Sequence, residues 1–336
     1  MRLGVFIEET WDFFHEVYAD FGQHHSTTLY KRPEPVRLPV FTERVNRHRF
    51  RSDLSDFIRR QDVLFFEWAS ELLAVASQMP KTAGIVTRLH RYEMYEWAER
   101  INWDAVDRVI LVSDAKLRTF TETFPSHAHK AVVIPEAVSV TRFQPGDRKP
   151  FGGDIGILCH LKPRKRVYDL VLTFAELLEE GHQFHLHIGG GLAPGSEDYY
   201  EALHGLVGRL GLQDKVTFYG HQSKPEQWYP LIDVFVSNSF SEGLQVSPME
   251  AMASGCHCVS HRWAGAEELL PDSHLYDTNA QLKRLLVDHA RLPDAERAAL
   301  RTRMRNMVTE RFNVDVTKAQ IRGVVEDVYA ARGGGR

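Results

Sequence analysis

The feature that most constrains this chain is a rhythm that runs twice: short apolar runs of strand length alternate with longer stretches whose apolar residues recur every three or four positions. Strands alternating with helices imply a parallel sheet covered by helices. In the first half, Arg2 to Ile7, Asp62 to Phe66, Gly84 to Leu89 and Arg108 to Val112 read as strands. Trp11, Phe14, Val17, Tyr18 and Phe21 form the core-facing stripe of a helix that Thr10 is placed to cap. Residues 144 to 153, Gln-Pro-Gly-Asp-Arg-Lys-Pro-Phe-Gly-Gly, have the character of a linker. Beyond them the rhythm restarts with a strand over Ile155 to Cys159 and a helix whose apolar face runs from Val167 to Leu178 and stops at Gly181. Strand Phe184 to Ile188, a helix from Tyr199 to Leu210, and strands Val216 to Tyr219 and Val234 to Ser237 follow. The predicted organisation is two Rossmann-like domains, 1–146 and 147–315, and a closing segment 316–336 with helical periodicity.

A length of 336 residues suffices for two separate cores, and 43% hydrophobic with 26% charged residues is globular composition. The net charge of −4 argues against a nucleic-acid partner, which calls for a basic excess. Arg44, Arg47, His48, Arg49, Arg51, Arg59 and Arg60 do gather locally. A solvated helix face is the preferred reading, with an anionic acceptor or a peripheral membrane surface as the alternative. The chain has no run of eighteen apolar residues and no basic stretch leading into an apolar segment, so a cytoplasmic protein is expected. Cys159, Cys256 and Cys258 are too few for a disulfide framework. Cys256-His257-Cys258 lacks a second ligand cluster and reads as a buried strand, so no metal is expected.

In open α/β sheets ligands sit beyond the carboxyl ends of the strands. The segment Ser241 to Gly255 follows such a strand and enters a short helix. Ser247, Pro248 and Glu250 have the spacing of N-cap, N1 and N3 in a capping box, and Gly255 suits a left-handed stop. The helix N-terminus, with its free N–H groups, suits a phosphate. Glu242 stands ahead of the helix with no cap to make, and carboxylates accept hydrogen bonds from vicinal sugar hydroxyls. Glu250 either shares that role or only closes the capping box. His185 and His187 alternate along a strand toward one face and read as structural.

The stretch Glu242 to Glu250 resembles the E-x7-E motif of the retaining family 4 glycosyltransferases, which have the GT-B fold. Further resemblances are Leu161-Lys162-Pro163-Arg164-Lys165 to the family's basic loop, Val216-Thr217-Phe218-Tyr219-Gly220 to its V-x-F-x-G strand, and Gly265 with Glu268 to its G-x-x-E element. In the first half, Asp107 to Ser113 resembles a family strand ending in Ser, and Ile134-Pro135-Glu136-Ala137-Val138 resembles the P-N-G-V turn. The likeness covers roughly residues 84 to 330.

The resemblance implies an α/β protein of GT-B type, its two Rossmann-like domains facing a central cleft. It implies that Glu250 binds the donor ribose and Glu242 the transferred sugar, with Gly243, Leu244 and Gln245 beside sugar and diphosphate. Lys165, helped by Arg164, would neutralise the leaving diphosphate, and His90 would hydrogen-bond the hexose. The activity implied is retaining transfer of a hexose from a UDP- or GDP-sugar to a glycan, lipid or small-molecule acceptor, with neither metal nor cofactor. The chain departs from the pattern in three places. Cys159 and His160 replace the usual Gly-Arg, Glu136 and Ala137 replace Asn-Gly, and Glu8-Glu9-Thr10-Trp11 stands where a Gly-Gly loop is usual. His160 and Glu136 are kept as donor-side positions, and Trp11, Glu67 and Trp68, at predicted strand ends, are candidate acceptor contacts. A GT-B relative with epimerase or phosphorylase chemistry, and a catalytically silent nucleotide-sugar-binding protein, are the competing readings.

Overall fold

A computed structural model describes residues 1–11, 13–37, 41–146 and 150–333. The chain divides into two compact units, Met1–Pro135 with Asp315–Arg336, and Glu136–Val314. The division falls at Glu136, ahead of the Pro- and Gly-rich stretch, because the chain beyond it pairs with the end of the second unit. The Val138 N–H donates to Phe312 O at 2.9 Å, and the Val314 N–H donates to Val138 O at 3.1 Å. Positions 147–149 of the predicted linker and 334–336 of the closing segment lie outside the described residues.

In the first unit, strands β1 (Arg2–Phe6), β2 (Ser26–Leu29), β3 (Val63–Phe66), β4 (Gly84–Leu89), β5 (Arg108–Leu111) and β6 (Ala131–Val133) form one parallel sheet in the order β2-β1-β3-β4-β5-β6. Successive residues of β3 face opposite cores: Leu64 and Phe66 join one apolar cluster, Val63 and Phe65 the other. Burial on both faces is why these strands read as unbroken apolar runs. The helix expected to begin at Thr10 spans His15–His24 instead, with Phe14 in the N-cap position and no side-chain cap. The basic residues fall largely on the Thr42–Arg59 helix, where Leu54 and Ile58 are buried while Arg44, Arg47, His48, Arg49, Arg51 and Arg59 are exposed. Val314–Ala331 forms the last helix, which returns to the first unit: Ile321, Val325 and Val328 pack with Leu3, Val5, Val63 and Val86.

In the second unit, β7 (Asp154–Leu158), β8 (His185–Gly189), β9 (Val216–Gly220), β10 (Val234–Ser237), β11 (His257–His261) and β12 (Leu275–Tyr276) form a parallel sheet ordered β12-β11-β10-β7-β8-β9. His185 and His187 are held by their neighbours, His185 Nε2 2.8 Å from Thr217 Oγ1 and His187 Nε2 2.9 Å from Asp154 Oδ1. The predicted capping box at Ser247 does not form. The helix is Val246–Ala253, with Gln245 as N-cap, and Glu250 is turned away to Tyr229. Its end does follow the expected pattern, with Gly255 at φ +76° and the Cys256 N–H donating to Ala251 O at 2.9 Å. Among the described residues no helix is long and apolar enough to cross a membrane, and no group of three or more His, Cys, Asp or Glu is arranged to hold a metal ion.

Cys256, His257 and Cys258 are all buried, the last two opening β11, and the histidine belongs to an aromatic stack. The His257 ring lies 3.9 Å from that of His289 and 5.1 Å from that of His274. Burial depresses all three: His257 falls well below 6.5, and His289 falls to about 4, with Arg297 and Arg301 adding to the effect. Between pH 6.5 and 4 the unfolded chain therefore binds protons that the native protein refuses, so stability falls with pH across that window. For His289 alone the loss is about 3 kcal/mol by pH 4. Urea unfolding at steps from pH 7.5 to 4.5 should show this decline, with a shallower slope in His289→Leu. Parallel curves for the two proteins would refute the assignment.

Candidate functional site

The order of the second sheet reverses between β7 and β10, so the loops leaving their carboxyl ends diverge and open a crevice of the kind in which α/β sheets bind ligands. The loop after β7 stays in register with β8 at first, the Leu161 N–H donating to Gly191 O at 3.0 Å. It then makes a tight turn over Pro163–Lys165 and leaves through Arg166 at φ +51°. The loop after β10 is lashed to it. Asn238 Nδ2 donates to Arg166 O at 2.9 Å, and Arg164 Nη1 donates to Ser241 O at 2.5 Å. Residues far apart in sequence thereby meet: Lys165 Nζ lies 2.6 Å from Glu242 Oε1, and Arg164 Nη1 lies 2.6 Å from Glu242 Oε2. Burial alone would raise the Glu242 carboxyl, but Lys165 and Arg164 outweigh it and hold the group at about 2. Glu242 is thus a buried carboxylate clamped by two cations.

Gly243, Leu244, Gln245 and Glu250 occupy the same loop and helix, His160 precedes the basic turn, and Glu136 lies in the segment after β6. Gln245 is turned inward, its amide donating to Ser247 Oγ at 3.1 Å while its carbonyl accepts from Ser237. Leu244 is buried, and Gly243 is half-buried beside Glu242. Glu250 Oε2 accepts from the Tyr229 hydroxyl at 2.7 Å, which leaves the carboxylate half-buried on the first turns of the helix. His160 is exposed ahead of the basic turn, and Glu136 is buried. Past the end of β9, Tyr219, Gln222, Lys224, Gln227 and Trp228 line a small polar pocket.

The first sheet reverses between β1 and β3, and the side chains after those strands also converge. Trp68 Nε1 donates to Thr10 O at 3.4 Å, and the Trp68 ring lies 4.1 Å from that of His90 and 5.7 Å from Tyr92. The ring that reaches this group from the β1 loop is Phe13, 5.7 Å from His90. Trp11 instead packs on His15, Phe14 and Tyr18. Glu67, expected at the ligand face, is fully buried, because Arg88 at the matching level of β4 takes its Oε1 with Nε at 3.0 Å and Nη2 at 2.5 Å. His90 Nε2 lies 3.2 Å from Glu67 O. Glu93, which sequence reasoning missed, fixes this corner: its Oε1 accepts from the N–H groups of Ala69 at 3.2 Å and His90 at 3.3 Å. Burial pushes its carboxyl up to about 7. A glutamate three residues after a strand-ending polar residue is the spacing that signals such a backbone contact.

Two parallel six-stranded sheets with flanking helices, each reversing its order once, define the fold of the GT-B glycosyltransferases. Anabaena Alr3699/HepE, solved in complex with UDP and glucose, superposes with a TM-score of 0.77 over 97% of this chain and all of its own, at 16% identity. Residues 152–304 match the family described as Glycosyl transferases group 1, so the second unit carries a domain of that family. Similarities to curated proteins also cover part of the chain. A D-inositol 3-phosphate glycosyltransferase of Nocardia farcinica is 29% identical over 163 residues, 44% of this chain and 36% of that protein. A lipopolysaccharide core biosynthesis mannosyltransferase, LpsB of Rhizobium meliloti, is 33% identical over 152 residues, 41% of this chain and 42% of that protein. The matched segments thus span well under half the length of these relatives.

Proposed function

We propose that the protein is a retaining hexosyltransferase that takes its sugar from a UDP- or GDP-sugar without a metal ion and passes it to a hydroxyl of a glycan, lipid or small molecule. The observation that carries this reading is the convergence of Lys165, Arg164 and Glu242 at the switch point of the second sheet, with Glu250 on the helix that follows. Two fixed cations suit a leaving diphosphate, whose charge grows as the glycosidic bond breaks. The carboxylates suit hydroxyls, Glu242 those of the hexose and Glu250 those of the ribose. The acceptor oxygen attacks the face from which the diphosphate departs, and a donor phosphate oxygen takes its proton, so no protein carboxylate is needed as nucleophile. The complex of HepE with UDP and glucose and the sugar-transfer names of the relatives support a nucleotide-sugar as donor.

Calorimetric titration with UDP-, GDP-, ADP- and dTDP-sugars in the presence of EDTA tests the reading. One donor is expected to bind the wild type, and Glu250→Ala should weaken it by roughly tenfold or more, the loss of a charge-assisted hydrogen bond. If the folded protein binds none of the four, the donor assignment falls.

A further inference from the structure

The two cations of the donor site are not waiting for an anion; they already hold one. Lys165 and Arg164 each contact a different oxygen of Glu242 at 2.6 Å, and the carboxylate is only 8% exposed. Cys159, at the start of the same loop, is pushed up to about 11 by burial and stays neutral, so Glu242 is the anion that matches these cations. We infer that Glu242 acts as a resident counter-anion that makes the site favour an intact nucleotide-sugar over the nucleoside diphosphate left after transfer. This rests on the donor-site reading above and adds a source of selectivity to it.

The argument is one of exchange. A diphosphate that takes Lys165 and Arg164 strips both cations from a buried carboxylate that also accepts from the Ser239 hydroxyl. A buried charge deprived of its partners is strongly penalised. An intact donor carries a replacement, because its diphosphate takes the cations while its hexose hydroxyls donate to Glu242. Once the hexose has been transferred that compensation is gone, Glu242 returns to the cations, and the diphosphate is displaced. The same carboxylate therefore admits the intact donor and favours departure of the product.

Calorimetry on the full chain, with EDTA, compares inorganic pyrophosphate, UDP, GDP and the donor sugar in wild type and Glu242→Gln. The variant keeps the side-chain size and removes the charge. Pyrophosphate and the matching nucleoside diphosphate should bind it at least tenfold more tightly than wild type, while the nucleotide-sugar gains less or weakens, so the preference for intact donor shrinks. Adding Lys165→Met should erase the gain. Thermal melts with and without pyrophosphate confirm that each protein is folded, and Glu242→Asp, which keeps the charge but shortens its reach, should shift binding in the same direction by less. If diphosphates bind folded Glu242→Gln no better than wild type while nucleotide-sugars bind normally, the counter-anion role is overturned and the donor reading stands. If pyrophosphate binding tightens but no nucleotide or nucleotide-sugar binds either protein, the donor reading falls and the inferred selectivity falls with it.

Discussion

Arg88→Ala is expected to destabilise the first unit by about 3 to 5 kcal/mol, the cost of removing one partner from a buried ion pair. Arg88 and Glu67 are 1% and 0% exposed, and Oε2 of Glu67 has no hydrogen-bond partner of its own, so the truncation takes the guanidinium from a buried carboxylate whose Oε1 otherwise lies 3.4 Å from His90 Nε2. The penalty comes from the orphaned charge rather than from the lost attraction. Arg88→Met combined with Glu67→Gln should therefore recover much of the loss, since paired removal of buried charges is often close to neutral. Urea unfolding of the full chain distinguishes the cases. Equal losses in the single and double variants, or a loss below about 1 kcal/mol for Arg88→Ala, would refute the account. His90 should report the same change, because its ring rests on the Glu67 backbone: the single variant is expected to broaden the His90 resonances even where it remains folded.

Gly190→Ala should be comparably severe, on the order of 3 to 5 kcal/mol, because two penalties add at one atom. Gly190 has φ +119°, a region that side chains disfavour, and a Cβ placed there would sit 1.7 Å from the Cys159 carbonyl oxygen. That oxygen belongs to backbone that is itself pinned, by Cys159 N–H to Gly189 O at 3.1 Å and Leu161 N–H to Gly191 O at 3.0 Å. Relief requires the loop after β7 to move away from β8, which carries Arg164 and Lys165 off Glu242. The variant is thus expected to lose pyrophosphate and nucleotide-sugar binding together with stability, whereas Gly181→Ala, at φ +89° with open space around its Cβ position, should cost only about 1 kcal/mol and leave binding intact. Retained binding in Gly190→Ala would mean that the loop is not tied to β8 as described.

The central strands were legible because burial on both faces writes them as continuous apolar runs, as in Val63-Leu64-Phe65-Phe66. The edges were not. Ser26–Leu29 alternates exposed and half-buried positions and is polar in composition, and Leu275–Tyr276 is two residues long, so neither carries a pattern to read. The basic turn and Glu242 were recognisable as separate motifs, but their contact depends on β7 lying beside β10, a pairing that local spacing does not encode. The capping box expected from Ser247 to Glu250 was misread because the helix starts before Ser247 and the Tyr229 hydroxyl competes successfully for the carboxylate. Arg88 was a missed signal of another kind. A charge within an otherwise apolar buried strand demands a partner, and the register that sets Phe66 opposite Thr87 places Glu67 at its level.

The first unit is assembled from two separate stretches of chain, and this bears on its biogenesis. A ribosome releases Leu3, Val5, Val63 and Val86 long before it makes Ile321, Val325 and Val328, and the whole second unit emerges in between. During that interval one apolar face of the first sheet lacks its covering helix, while the second unit, whose chain is contiguous, can close its core as it emerges. Vectorial synthesis thus leaves the N-terminal half dependent on the last helix for completion. Chains halted after Val314 should engage chaperones or aggregate through the first unit, although most of that unit leaves the ribosome before the second.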